Sequence, residues 1–232
     1  MLANKLINAL TPSAHQASVP QAVPRELKKG EVLVDIAQMI EATFLVGNGV
    51  LRVARQTKTG LETTGYIQAN EWLTSGFDGQ PVLSEIHVTA ACPALVFVVP
   101  YEIGQQALAS SPGAALTGLE LCLERHERQY NQIYMASGRV APRRALALAL
   151  ANLAHFRAGK PALVERVISQ DMLADYINVS RTVVNRLLGE FREQGLLTRT
   201  EMGMELSPEL LSLAQTGDPA ALAQSHAFGA AA

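Results

Sequence analysis

The chain has 232 residues and a formal net charge of −2, which is long enough for two modest domains with separate cores. No apolar run approaches the roughly 20 residues of a membrane span, the first residues lack a charged-then-apolar secretion signal, and two cysteines suit a reducing cytoplasm without disulfides. The sequence offers no nucleophile motif, no glycine-rich phosphate loop and no His pair at metal spacing, so neither an enzyme nor a metal site is expected.

Residues 1–26 read as an N-terminal extension, with a short amphipathic helix marked by Leu2, Leu6, Ile7 and Leu10. Residues 27–113 form the first predicted domain. Leu33 to Phe97 is rich in β-branched residues punctuated by glycine. Phe44-Leu45-Val46 and Val50-Leu51-Arg52-Val53 flank Gly47-Asn48-Gly49, which predicts a hairpin. Val53 to Thr64 predicts another, with Lys58-Thr59-Gly60 at its tip, and Val88 to Val99 supplies a further run. Many short strands with glycine turns predict a sandwich or rolled barrel.

Residues 114–140 read as a long helix and a hinge. From Ala114 to Ser137, Leu116, Leu119, Leu123, His126, Tyr130 and Ile133 step by alternating three and four residues. That is a coiled-coil seam, and it predicts a parallel homodimer, the alternative being a helix laid on its own β-domain. Pro142 breaks the helix, and a second is expected from Arg143 to Phe156.

Residues 141–213 form the second predicted domain, and Ser169 to Gln194 is the most informative stretch of the chain. Ser169 caps a helix with Asp171 in its first turn. Leu173, Ala174 and Ile177 follow at helical spacing, and Asn178 stands where the chain must turn. Ser180 caps a second helix with the apolar stripe Val184, Leu187, Leu188 and Phe191. Arg181, Thr182, Asn185 and Arg186 are left on the outward face, where a recognition helix presents donors to the major groove. After Gly195, two short β-prone runs flank Met202-Gly203, the layout of a winged helix-turn-helix. Residues 214–232 are rich in small residues and read as a tail.

Leu173-Ala174, Ser180-Arg181, Val183 or Val184, Arg186-Leu187-Leu188 and Gly195-Leu196-Leu197 together resemble the DNA-binding end of the Crp/Fnr family, the regulators typified by the cyclic AMP receptor protein and the fumarate–nitrate reduction regulator. Leu27 to Leu33 and Phe44 to Val53 resemble the opening strands of that family's roll. The resemblance implies an α+β chain: a cyclic-nucleotide-binding-like β-roll (a double-stranded β-helix or jelly roll), a dimerisation helix and a winged helix-turn-helix. It implies base contacts from Arg181, Thr182, Asn185 and Arg186. Phosphate contacts fall to Ser169, Gln170 and Ser180, with Arg199 joining them from the wing. Thr182 departs from the glutamate the family often has there. Double-stranded DNA, a second copy of the chain and RNA polymerase are the implied partners.

The effector is left unknown. The family's cyclic-phosphate site needs an Arg-Ser or Arg-Thr pair, whereas the corresponding stretch from Glu71 to His87 offers Ser84-Glu85, and no Lys or Arg occurs from Thr59 to Glu124. A buried phosphate without a cation is costly, so cyclic AMP in the usual way is not expected. Cys92 and Cys122 cannot hold a four-cysteine iron–sulfur cluster. No cofactor is predicted, with haem left open through His87, Cys92 and His126. Residues 166–232 hold five Arg against eight acids, a local charge of −3, while Arg139, Arg143, Arg144, Arg157 and Lys160 gather near the hinge. The expected protein is a cytoplasmic, homodimeric, bacterial-type transcription regulator, and not an enzyme. The alternative is a ligand- or haem-binding sensor whose DNA-binding domain is weak and which acts through other partners.

Overall fold

The computed structural model describes residues 22–69, 71–73, 82–102, 112–157 and 159–216. The helix expected around Leu2 to Leu10, residues 74–81 of the compared effector stretch and the tail beyond Thr216 lie outside the described residues. The chain divides into two compact units, Met1–Glu127 and Arg128–Ala232.

Among its described residues the first unit carries ten short strands: β1 (Val23–Leu27), β2 (Val32–Val34), β3 (Met39–Ile40), β4 (Ala42–Asn48), β5 (Val50–Thr57), β6 (Gly60–Gln68), β7 (Trp72–Leu73), β8 (Val82–Leu83), β9 (Ile86–Ala90) and β10 (Ala94–Pro100). They pair antiparallel in the orders β1-β10-β4-β7 and β2-β9-β5-β6, with β3 and β8 as a separate pair. The period-two alternation of β4 and β10 explains the roll. Phe44, Val46, Ala94 and Val96 face a core shared with Leu51, Val53, Val88 and Ala90 from the opposite sheet. Leu45 and Val99 form a second cluster with Trp72, against which Phe97 and Cys122 pack. β4 therefore reads as an unbroken apolar run because both of its faces are covered. Each such side chain contributes roughly 1.5–3 kcal/mol on burial.

Two sequence expectations change here. Gly47-Asn48-Gly49 does not close a hairpin: β4 pairs with β10 and β7, while β5 pairs with β6 and β9. Gly49, at φ +84°, carries the chain from one sheet to the other, and a Cβ there would lie 2.5 Å from the Pro93 carbonyl oxygen. The segment Leu27 to Leu33 is likewise no single strand. It turns at Lys28 to Glu31, where the Glu31 N–H donates to the Lys28 carbonyl at 2.9 Å, so β1 and β2 enter different sheets. Four residues of β1 also lie in the stretch read as an extension. The β5–β6 hairpin stands as expected, with Thr57 opposite Gly60.

Helix α1 (Pro112–Ala136) crosses from one unit to the next. The second unit continues with α2 (Pro142–Asn152), β11 (His155–Arg157), β12 (Lys160–Glu165), α3 (Gln170–Tyr176), α4 (Arg181–Glu193), β13 (Leu197–Arg199), β14 (Gly203–Leu206) and α5 (Pro208–Thr216). The helix expected to reach Phe156 stops at Asn152. The Leu153 N–H closes on the Ala149 carbonyl at 3.0 Å, and the chain then enters a β11–β12 hairpin turned by Gly159 at φ +68°. The wing is therefore part of a four-stranded sheet, β11-β12-β14-β13. Residue 214, read as the start of the tail, is buried in α5, which packs on α2. The turn at 137–141 lies inside the second unit, with Met135 and Val140 buried on either side of Gly138.

Behind α3, the Tyr176 phenol is buried in hydrogen-bond contact with Asn152 and near the Arg128 guanidinium. Burial pushes it from the ordinary value of 10 up to about 12, with Asn152 and Arg128 pulling back less strongly. The folded value lies above the unfolded one, so this stabilisation is complete below about pH 10 and is lost as pH rises toward 12. Denaturant titrations across that window should show the loss in the native protein and a flatter profile in Tyr176→Phe; matching profiles would refute it. Gly49→Ala should destabilise the first unit by at least about 2 kcal/mol, read as a lower urea midpoint, because it combines a left-handed backbone with a backbone clash.

Candidate nucleic-acid interface

Two serines define the helix-turn-helix. The Ser169 Oγ accepts from the Met172 N–H at 3.2 Å, and the Ser180 Oγ accepts from the Val183 N–H at 3.4 Å. Each satisfies a donor that the first turn of a helix leaves free, worth about 1 kcal/mol. Between them Asn178 takes the left-handed conformation at φ 54°, and the Val179 N–H returns to the Ala174 carbonyl at 3.0 Å. Leu173, Ala174 and Ile177 on one side and Val184, Leu187, Leu188 and Phe191 on the other are buried, so the crossing is fixed by apolar packing. The stripe that the spacing predicted is the stripe that is buried.

Arg181, Thr182, Asn185 and Arg186 lie together on the exposed face at the start of α4. Three of them already have protein partners. Arg181 is 3.4 Å from the Asp171 carboxylate, and Asn185 Oδ1 accepts from Gln170 Nε2 at 3.2 Å. Arg186 donates to Glu190, one turn further along the helix. Glu190 also receives Arg143 from α2 at 3.4 Å, and the Arg143 guanidinium stacks 5.0 Å over the Phe191 ring.

A cleft of about 870 Å³ opens between the helix-turn-helix and the wing. Arg166, Arg181, Arg192 and Arg199 line it, together with Asp171 and Glu201. Ser169, Gln170 and Arg199, the expected phosphate contacts, are among its lining residues. Ser180 is exposed at the head of α4 but is not among the lining residues. Arg166 and Arg192 were missed by the sequence reading. Arg192 follows Arg181 by eleven residues, three helical turns, and that spacing could have placed both on one side of α4. Four guanidiniums against two carboxylates make this cleft cationic although the surrounding segment is acidic in total.

The wing tip is less favourable to phosphate. Thr200 and Gly203 bond backbone to backbone across Glu201-Met202, so the hairpin ends in a carboxylate and an exposed thioether. Of the basic cluster near the hinge, Arg143 is engaged with Glu190 and Gln194, and the Arg144 Nε is buried. Arg143 is therefore engaged within the domain and is not a free basic footprint.

The residues considered for an effector are in the first unit. Ser84 is buried, with its Oγ donating to the Ile86 carbonyl at 2.8 Å and accepting from the Ile86 N–H at 3.1 Å. Glu85 faces out, 3.6 Å from Arg55. His87 Nδ1 is 2.9 Å from Asp35, the Cys92 Sγ accepts from the Val50 N–H at 3.2 Å, and His126 is exposed on α1. Arg125, the first cation after the long gap, donates from α1 to the Trp72 carbonyl.

Residues 144–211 match the family model of the Crp-like helix-turn-helix domain. No curated protein sequence matches the chain. Among solved structures, FixK2 from Bradyrhizobium japonicum superposes with a TM-score of 0.66 at 16% identity, over 84% of this chain and 96% of that one. A cyclic nucleotide-binding domain containing protein from Listeria monocytogenes gives 0.62 at 15% identity, over 80% and 89%. A transcriptional regulator of the CRP/FNR family from Thermus thermophilus gives 0.54 at 18% identity, over 84% and 99%. Residues 144–211 are thus a Crp-like helix-turn-helix domain, and the chain shares the fold of these solved structures.

Proposed function

We propose that this protein is a homodimeric transcription regulator that reads a near-palindromic DNA site with α4 and acts there together with RNA polymerase. The observation that carries it is the exposed cluster Arg181, Thr182, Asn185 and Arg186 at the head of a helix whose opposite side is buried. Arginine suits bidentate bonding to guanine O6 and N7, and asparagine suits adenine N6 and N7. Ser169, Gln170, Arg192 and Arg199 border the path of the phosphate backbone through the neighbouring cleft.

The dimer rests on α1. Leu116, Leu119, Leu123, Tyr130 and Ile133 are 55–70% exposed in the single chain, and His126 is exposed among them. A continuous apolar stripe at seam spacing is poorly suited to water, and a second α1 would cover it with the same residues in the same order. Pairing brings two copies of α4 to half-sites about 34–36 Å apart.

Usual cyclic-phosphate binding has no support among the described residues of the roll. Ser84 spends its hydroxyl on the neighbouring backbone, Glu85 points to solvent, and the sequence has no cation from Thr59 to Glu124. The reading therefore takes a small-molecule effector of other chemistry or none, and no resident cofactor.

Arg181→Ala and Arg186→Ala should each reduce discrimination at one base pair by about 1–3 kcal/mol. Fluorescence anisotropy with matched and single-substituted duplexes checks this, and unchanged sequence preference in the double variant would sink the assignment of α4. Leu123→Glu should shift the particle from twice the chain mass to one, as measured by light scattering, and should weaken binding to a two-half-site duplex far more than to a half-site. A wild type of single-chain mass at micromolar concentration would overturn the dimer.

A further inference from the structure

Both arginines assigned to base reading are backed by a carboxylate of their own domain. Glu190 holds Arg186 from within α4 and is itself tied to α2 through Arg143. Asp171 reaches Arg181 from a different helix, 3.4 Å away. A guanidinium has five N–H donors in a fixed plane, and reading guanine uses only one edge of it. The remaining edge is free to be held. Arg181 is the first residue of α4, so no preceding helical turn packs against its stem. Asp171 sits in the first turn of α3, anchored by the Ser169 cap and by the buried Met172 and Leu173 beside it.

We propose that Asp171 is a positioning residue for Arg181: it holds the guanidinium plane for the base edge and repels phosphate from that end of the cleft. The proposal rests on the assignment of α4 as the recognition helix. In the free protein the two side chains, Arg181 and Asp171, are 64% and 67% exposed, so water screens the pair and it adds little to stability. Docking against a duplex excludes that water and strengthens the pair, which links its effect to binding and not to folding. The neighbouring Thr182 has no carboxylate, so Asp171 is the acidic group available to Arg181 among the contacts at the head of α4. The same negative charge lies beside Arg166, Arg192 and Arg199 in the cleft, where it lowers attraction to any phosphate backbone regardless of sequence. Selectivity is gained and overall affinity is surrendered by one side chain.

The test uses the full-length protein and a randomised duplex pool, followed by anisotropy on the selected site, its single-base variants and a scrambled duplex. Asp171→Asn removes the charge and keeps the shape. Glu193→Gln removes one charge from the exposed C-terminal end of α4, twelve residues after Arg181, and serves as the control. The expected result is that Asp171→Asn binds scrambled duplex several-fold tighter and loses about tenfold of its preference at one base pair. That base pair should be the one lost in Arg181→Ala, and Asp171→Asn combined with Arg181→Ala should lose no more there than Arg181→Ala alone. Glu193→Gln should keep the preference intact. If Asp171→Asn and Glu193→Gln both raise affinity for every duplex and both retain the base preference, Asp171 acts through bulk charge and the proposal is overturned. If the wild type enriches no sequence at all, the assignment of α4 fails and Asp171 falls with it; enrichment by the wild type separates the two failures.

Discussion

The close crossing of α3 and α4 sets the direction in which this protein can present charge. Leu173 and Phe191 are wholly withdrawn from water, and Ala174 lies at the contact where a larger residue would force the helices apart. A rotation of α4 by one residue, about 100°, would bring Val184 and Leu188 into solvent and drive arginines toward the core. Burying an unpaired guanidinium costs several kcal/mol, on top of the lost apolar burial. The outward placement of Arg181 and Arg186 is therefore a consequence of packing on the far side of the helix. Asn178 makes the geometry reachable, since the turn requires a left-handed residue that most side chains resist.

Charge shows why a net count is a poor guide to a surface. The segment from 166 onward is acidic in total, yet four of its five arginines border one cleft. A duplex responds to the local field, and its phosphates are read at distances where one carboxylate in the wrong place is felt. Conversely, Arg143 looked like part of a basic footprint and is occupied by Glu190, Gln194 and the Phe191 ring. It braces α4 from behind. In the proposed reading, modest general attraction combined with donors held in place would favour discrimination over tight non-specific binding.

The helix-turn-helix was legible because its determinants are local: two serine caps, one left-handed asparagine and a stripe at helical spacing all fall between Ser169 and Gln194. The helix α1 was legible for the same reason, its spacing being local to residues 112–136. The roll was legible as a class and misread in its pairing. Gly47-Asn48-Gly49 carries the composition of a hairpin turn, but whether the flanking strands pair with each other or part into two sheets depends on distant partners in β9 and β10. The β11–β12 hairpin was missed because alanine and leucine run almost without interruption into Ala154, and only Gly159 marks the reversal. Arg166 and Arg192 could not be joined to Arg199 until the sheet brought the wing beside α4.

α1 shows how the two units and the proposed partner make separate demands on one helix. Its inward side reads Cys122, packed on the Leu45 and Trp72 cluster, then Arg125, donating to the Trp72 carbonyl, then Arg128 near Tyr176, then the buried Gln132 and Met135. That side is mixed in polarity: Arg125 is bonded within the first unit and Arg128 lies near Tyr176 within the second. On the outward side Leu116, Leu119, Leu123, Tyr130 and Ile133 are exposed, with His126 among them. A helix that packs on its own domain needs one apolar stripe; a second stripe, offset around the axis and holding seam spacing for more than two heptads, is what a pairing helix presents. In the proposed dimer a second copy of α1 would cover that stripe, which would make this helix the surface on which two reading heads are brought together.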